Sequence, residues 1–250
     1  MAYGGMGRSK KKSPQKKTSI GLRSKITGLW RLAIGWAVRL AFGILAAYLA
    51  LIVVYDFLNP PTTYTMWSES RRLGGVDQEW TDAEDIAPVM LRSVVAAEDA
   101  NFCNHWGFDM GAIRQAIDSG ANRGASTLSQ QVVKNVFLWQ GRSWARKAME
   151  ALLTPAVEAI WTKRRILEIY LNVAEFGEGV FGVNAAAFHY FRTTPDKLTP
   201  RQAALLAAIL PDPKGRSAAK PSRFVSNRAT AIADGAATIR ADGRAACFSK

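Results

Sequence analysis

From Leu40 to Tyr55 the chain carries no charge at all, and a dense basic arm precedes this run. Adding Ala33–Val38 gives 23 residues interrupted only by Arg39. That is close to the ~20 apolar residues a helix needs to cross a bilayer. Arg39 lies toward the basic end, where a long side chain can reach the interface. Trp30, Trp36, Tyr48 and Tyr55 are amphipathic, and three of them sit near the ends of the run. A cleaved signal peptide is the rival reading. The run is long for one, and no small-residue cleavage site precedes Asp56-Phe57-Leu58-Asn59-Pro60-Pro61. An uncleaved anchor over 33–58 is therefore expected, with residues 1–32 as a basic cytoplasmic tail and the rest outside the cytoplasm.

This arm also explains the charge. The formal net charge is +13, from 33 Lys and Arg against 20 Asp and Glu. Ten of the bases precede Leu40, which leaves 23 against 20, a net of only +3. The high isoelectric point thus argues for anionic lipid near the tail and against a nucleic-acid-binding domain. Cys103 and Cys247 could pair in an exported domain, but two cysteines make no framework and a bridge is not expected. With His105 and His189 as the only histidines, no metal site is legible.

Beyond the anchor, Asn59-Pro60-Pro61 is a stiff exit, and nearly everything after it reads as short helices. The class is mainly α. Thr199-Pro200 carries a cap and a first-turn proline, and Pro211-Asp212-Pro213 stops the helix they open. Residues 59–213 form the expected catalytic domain. Residues 214–250 are an extension with one short helix around Arg228–Ile239. Ser217-x-x-Lys220 spells a pattern of serine acylases, but it lacks their partner motifs and recurs twice in the tail.

Four stretches carry chemistry. Leu91, Val94, Val95 and Glu98 fall at helical spacing, which puts a carboxylate on an apolar face. Desolvation there would raise its pKa and make it a useful proton acceptor. The bland alternative is a solvated helix end. Thr127-x-x-Gln130 is a capping box. The helix start after Gly124-Ala125-Ser126 offers N–H groups to an anion, with Gln131 and Lys134 on one face and Arg142 beyond a turn. Ser143 caps a helix in which Glu150 faces Arg146 and Lys147; Pro155 should bend or end it. In the helix from Lys163, the residues Ile166, Leu167, Tyr170 and Leu171 make a buried stripe. Glu168 points away and is expected to be exposed. The glycines between Phe176 and Gly182 mark a turn of close backbone approach, and His189 is packing or surface.

Together these stretches resemble the peptidoglycan glycosyltransferases, glycosyltransferase family 51. Glu98-Asp99-x-x-Phe102-x-x-His105-x-Gly107-x-Asp109 is similar to the first family motif. Gly124-Ala125-Ser126-Thr127-Leu128-Ser129-Gln130-Gln131-Val132-Val133-Lys134-Asn135 is similar to the second. Arg146-Lys147-x-x-Glu150 with Glu158 resembles the third, and Lys163-x-x-Ile166-Leu167-Glu168-x-Tyr170-Leu171-Asn172 the fourth. The match covers roughly residues 85–213. Ala125 stands where many members have Gly, and Thr154 where the third motif usually has Ala. No second catalytic domain follows, as in the monofunctional branch.

The resemblance implies a lysozyme-like fold with a head lobe and a smaller, membrane-hugging jaw. It implies lipid II as substrate, with a growing glycan strand as donor and inversion at the donor anomeric carbon. Glu98 would be the general base and Glu150 the second acid. Lys134 and Arg142 would stabilise the leaving diphosphate, with Ser126, Gln131, Asn135 and Lys147 nearby. Asp99, Phe102 and His105 would shape the cleft. No cofactor is required, although a divalent cation meeting the diphosphate could stimulate turnover. Expected partners are lipid II, the strand, membrane lipid and other cell-wall synthases or divisome proteins. Expected placement is the inner membrane. A lytic glycosidase on the same fold and a non-catalytic scaffold of wall synthesis are the alternatives.

Overall fold

The computed structural model describes residues 1, 4–5, 20–118, 120, 126–141 and 143–249, with backbone only for 20–29. Most of the basic tail, Gly124, Ala125 and Arg142 lie outside the described residues.

The chain divides into two compact units, Met1–Ala47 and Tyr48–Lys250. The first contains most of helix α1 (Ile20–Phe57). Within α1, Trp30–Phe57 is apolar enough and long enough to cross a membrane, and almost none of it is buried. Such an all-round apolar surface, left uncovered, suits lipid rather than water.

The second unit begins with the last turns of α1. There Trp161 Nε1 donates to Ile52 O at 2.7 Å, and Arg165 donates to the carbonyls of Tyr55 and Leu58. Arg165 thus satisfies carbonyls that the helix end leaves unpaired. Tyr48 and Tyr55 rest on Phe137. Thr63 then caps α2 (Tyr64–Leu73) through Met66 N–H.

Two helical groups make the core. In one, α3 (Pro88–Glu98), α9 (Pro200–Ile209) and α10 (Arg223–Ala241) pack together. Met90, Leu91, Val94 and Val95 of α3 are buried against α9, all of whose residues from Ala203 to Ile209 are buried. In the other, α5 (Leu128–Phe137), α6 (Trp144–Ile160) and α7 (Lys163–Val173) pack through Leu128, Val132, Leu153, Val157, Ile166 and Leu167. Each such large side chain contributes roughly 1.5–3 kcal/mol on burial. Helix α4 (Met110–Asp118) lies between the two groups in sequence.

After α7 a small sheet interrupts the helices. Strand β1 (Asp77–Gln78) is parallel to β3 (Val180–Phe181), and β2 (Glu175–Gly177) is antiparallel to it. Helix α8 (Gly182–Phe191) follows directly. Gly182 has φ +81°, and a Cβ there would lie 3.0 Å from Asn172 O, so the close approach expected from the glycines is real. Asn172 itself is fully buried. It accepts from Thr81 N–H at 2.8 Å and donates to Thr81 O at 2.8 Å and Glu168 O at 2.9 Å. One side chain thereby acts as a strand partner for the segment entering α3.

Three expectations need correction, and one is narrowed. Cys103 and Cys247 are bridged, with Cα atoms 5.7 Å apart. Their separation of 144 residues hid the proximity, which arises only because α10 packs along α3 and returns the chain end to that site. Closing so long a loop stabilises by about 5 kcal/mol in the chain-entropy model. The C-terminal helix is longer than expected, because Ser222 caps it and it runs to Ala241. Of the two outcomes expected at Pro155, ending is excluded, because α6 continues to Ile160. The carbonyl that loses its donor belongs to Ala151, on the exposed side, where water can serve it. Glu168 is not exposed. Its side chain is 14% accessible, pairs with Arg165 and accepts from Ala83 N–H at 3.3 Å.

Replacing Asn172 by Ala leaves the Thr81 backbone groups buried without partners. Chemical denaturation should show a loss of about 2–4 kcal/mol; a loss below ~0.5 kcal/mol would mean the segment is not held this way.

Candidate active site

The first candidate acid ends α3. Glu98 is the last helical residue, and its side chain is 13% accessible. Gln131 Nε2 donates to Glu98 Oε2 at 2.9 Å. Glu98 Oε1 is buried and has no hydrogen-bond partner among the described residues. The cation facing it is Arg228 of α10, whose Nη2 is 3.8 Å away and also donates to Ala97 O at 3.4 Å. One carboxylate oxygen is thus fixed by an amide while the other remains available as an acceptor, with a guanidinium behind it. Tyr170 Oη donates to Gln131 Oε1 at 3.4 Å, so Gln131 links the phenol to the acid. Burial, and then the charge of Glu98, push the Tyr170 phenol well above its usual pKa.

Asp99 sits next to this acid with a different task. It is buried, and its Oδ2 accepts from Leu128 N–H at 3.0 Å at the start of α5. His105 Nε2 donates to its Oδ1 at 2.8 Å. A carboxylate at a helix N-terminus meets unpaired N–H groups and a positive dipole end. One N–H of the expected anion site, that of Leu128, is therefore taken by the protein's own Asp99. The capping box forms as expected, with Thr127 Oγ1 accepting from Gln130 N–H and Gln130 Oε1 accepting from Thr127 N–H. Thr127 Oγ1 also donates to Gly107 O at 2.7 Å. Gly107 adopts φ +86°, and a Cβ there would lie 2.6 Å from Thr154 Cγ2. Thr154, one departure from the family pattern, is what closes that space. Phe102 is fully buried, so it and Asp99 shape the site from behind rather than touch a ligand.

The second candidate acid is held by cations. Glu150 is buried; Arg146 Nη1 is 2.9 Å from its Oε2, and Lys147 Nζ binds its Oε1. Lys147 also donates to Ser126 Oγ at 3.1 Å, which brings the second and third sequence motifs together. Glu158 forms a separate buried pair with Lys163 at 2.8 Å and accepts from Ser129 Oγ.

Between the two acids lies Lys134. Its ammonium makes no hydrogen bond or ion pair among the described residues, and it is half-buried. Burial lowers its pKa; Glu150 and Glu98 pull the other way, and Arg146 and Lys147 reinforce the fall. Lys134, Gln131, Asn135 and Tyr170 line one side of a cleft of about 450 Å³. Glu69, Glu175 and Lys214 line the other. Lys214 bridges the two acids at 3.1 and 3.3 Å, and burial raises the Glu175 pKa despite that lysine. Among the described residues, no three His, Cys, Asp or Glu side chains could together hold a metal.

Thus Gln131, Lys134 and Asn135 line one cleft, Glu98 stands behind it on the hydrogen bond from Gln131, and Ser126, Lys147 and Glu150 form a cluster electrostatically linked to it through Lys134. Arg228, Lys214 and Glu69 were missed in the sequence. They lie outside the four motifs, and only tertiary packing brings them near. Tyr170 was seen as a buried stripe residue, and the sequence gives no sign that its hydroxyl reaches the acid.

The helical domain and its acid-and-lysine cleft define a lysozyme-like glycosyltransferase. Residues 67–237 match the family model described as Transglycosylase, so the match begins earlier and ends later than the motifs indicated. The chain is 59% identical over 214 residues to the biosynthetic peptidoglycan transglycosylase of Jannaschia sp. (strain CCS1), covering 86% of this chain and 90% of that protein. It is 45% identical over 223 residues to the protein of the same name from Yersinia pseudotuberculosis serotype O:1b (strain IP 31758), covering 84% and 90%. The same figures hold for that of Yersinia pestis (strain Pestoides F). The chain belongs to the transglycosylase family and is a glycosyl-transferring enzyme.

An ammonium that is half-buried without a partner costs the fold free energy until an anion arrives. Its lowered pKa means that the unfolded chain binds more protons than the folded one below the usual lysine range. The cost is therefore complete below the folded pKa and vanishes as pH rises past the unfolded pKa. Lys134→Met should raise stability at pH 7 by on the order of 1 kcal/mol, with the gain shrinking in alkali. Thermal melts across pH check this, and a destabilised variant at pH 7 would show that Lys134 has a structural partner.

Proposed function

We propose that this enzyme polymerises lipid II into peptidoglycan glycan strands, inverting the donor anomeric carbon and releasing undecaprenyl diphosphate. Glu98 Oε1 is the general base. It accepts the proton of the acceptor sugar's 4-hydroxyl as that oxygen attacks the donor's anomeric carbon, on the face opposite the diphosphate. The C–O bond to the diphosphate breaks, and Lys134 and Arg142 receive the developing negative charge. Lowering the charge on a leaving diphosphate in a partly desolvated site is where such cations contribute most. Gln131 orients the base, and Glu150 holds Arg146 and Lys147 in place beside Ser126. No cofactor enters these steps.

The single observation that carries this reading is the pairing of a carboxylate oxygen that has no hydrogen bond, on an acid joined to the cleft through Gln131, with a half-buried cleft lysine that has no hydrogen-bond or ion-pair partner among the described residues. Two acids alone would also suit hydrolysis. Hydrolysis gives a half-buried cleft lysine no departing diphosphate to meet, whereas transfer from a diphosphate donor does.

The N-terminal helix supports a single-pass anchor in the inner membrane, with its basic end in the cytoplasm and the enzyme outside. A tether to the membrane that holds the substrate raises its effective concentration. Only residues 58–63 separate the end of α1 from α2, whose Thr65, Ser68 and Glu69 line the cleft.

Purified protein with labelled lipid II should give polymer that a muramidase digests. Shortening of preformed glycan instead would identify a lytic enzyme, and no change in either would identify a scaffold. Glu98→Gln should reduce polymerisation by roughly 10²–10⁴-fold while lipid II still binds. Turnover within a few-fold of wild type would remove Glu98 from the base role.

A further inference from the structure

We propose that the Cys103–Cys247 disulfide is a positioning element for the catalytic loop, clamping the chain's C-terminal segment beneath the residues that follow Glu98. The inference rests on the glycosyltransferase reading of Glu98 only for its kinetic consequence; the clamp itself is a statement about the loop.

The loop from Asp99 to Gly107 has little regular structure of its own, apart from a short 3₁₀ turn at Phe102–Asn104. Its form depends on what surrounds it. On one side Asp99 binds the start of α5, and Lys163 Nζ donates to His105 O at 2.8 Å. On the other side the supports come from the end of the chain. Arg244 Nη1 donates to Ala100 O at 3.1 Å. Phe248 is buried, with its ring centroid 6.4 Å from that of Phe102. Arg164 Nη1 donates to Phe248 O at 3.2 Å. The disulfide joins the same two segments between these contacts, at Cys103 and Cys247.

A terminal segment held by Phe248, Ala245 and two hydrogen bonds at least partly open to solvent is prone to fray. The bridge keeps Arg244 and Phe248 at high local concentration against the loop. Cys103 is five residues from Glu98, and between them lie Asp99 and Ala100, which fix the end of α3. Without the bridge the loop loses one of its two walls, and the carboxylate loses its fixed aim. Geometry of this kind matters more to turnover than to substrate binding.

The test uses the full chain in detergent, oxidised and after treatment with a phosphine reductant. The phosphine gives two electrons, water supplies two protons, Cys103 and Cys247 become thiols and the phosphine becomes its oxide. Amide hydrogen exchange is measured well below the melting temperature, together with lipid II turnover. Reduction should speed exchange of amides 99–106 by roughly ten-fold. It should also lower kcat by roughly three- to ten-fold with KM changed less than two-fold, and reoxidation should restore both. Cys103→Ala with Cys247→Ala should match the reduced protein. Unchanged exchange in 99–106 overturns the clamp, even if the melting temperature falls. Faster exchange with unchanged kcat overturns its role in positioning Glu98. If oxidised protein makes no polymer, the proposed function fails, and the exchange result alone decides the clamp.

Discussion

The site depends first on the buried carboxylate of Asp99. It accepts from the N-terminal Leu128 N–H of α5 and from His105. This single group fastens the end of α3, which carries Glu98, to the helix that carries Gln131 and Lys134. A carboxylate in that position is favoured by the unpaired N–H groups and the dipole of α5. The two functional groups come from segments more than 30 residues apart in sequence, and Asp99 converts their separation into a fixed register. The Gln131–Glu98 hydrogen bond at 2.9 Å then sets which carboxylate oxygen is left without a hydrogen bond among the described residues.

Charge is distributed unevenly around this register. Glu150 and Glu158 each have cations at hydrogen-bond distance, and among the described residues the ion-pair partner of Glu98 is Arg228 at 3.8 Å. Lys134 has no partner among the described residues. The buried acids with close partners are structural or orienting, and the incompletely matched acid and lysine are the reactive pair. Proteins keep such unmatched groups at functional sites at a cost in stability, which the α3–α9–α10 and α5–α6–α7 cores and the disulfide offset.

Much of this was legible in the sequence because it is local. The capping box at Thr127, the cap at Thr199, the apolar face ending in Glu98, the stripe on α7 and the Arg146–Lys147–Glu150 cluster all follow from spacing within one helix. What escaped the sequence was long-range. The disulfide and Arg228 depend on α10 returning along α3, and Lys214 reaches Glu69 only across the cleft. Asp99 shows a third kind of limit. The motif named it as a residue shaping the cleft, but spacing within α3 cannot say that its carboxylate would bind the Leu128 N–H at the start of α5. Pro155 shows a fourth, since the tertiary packing of α6 decides whether a helix continues through a proline.

The most direct measurement is a structure with a lipid-linked diphosphate donor and an acceptor sugar bound. The account predicts a diphosphate oxygen about 3 Å from Lys134 Nζ and the acceptor's 4-hydroxyl within hydrogen-bond reach of Glu98 Oε1. A diphosphate bound away from Lys134, or an acceptor hydroxyl facing a different acid, would contradict it.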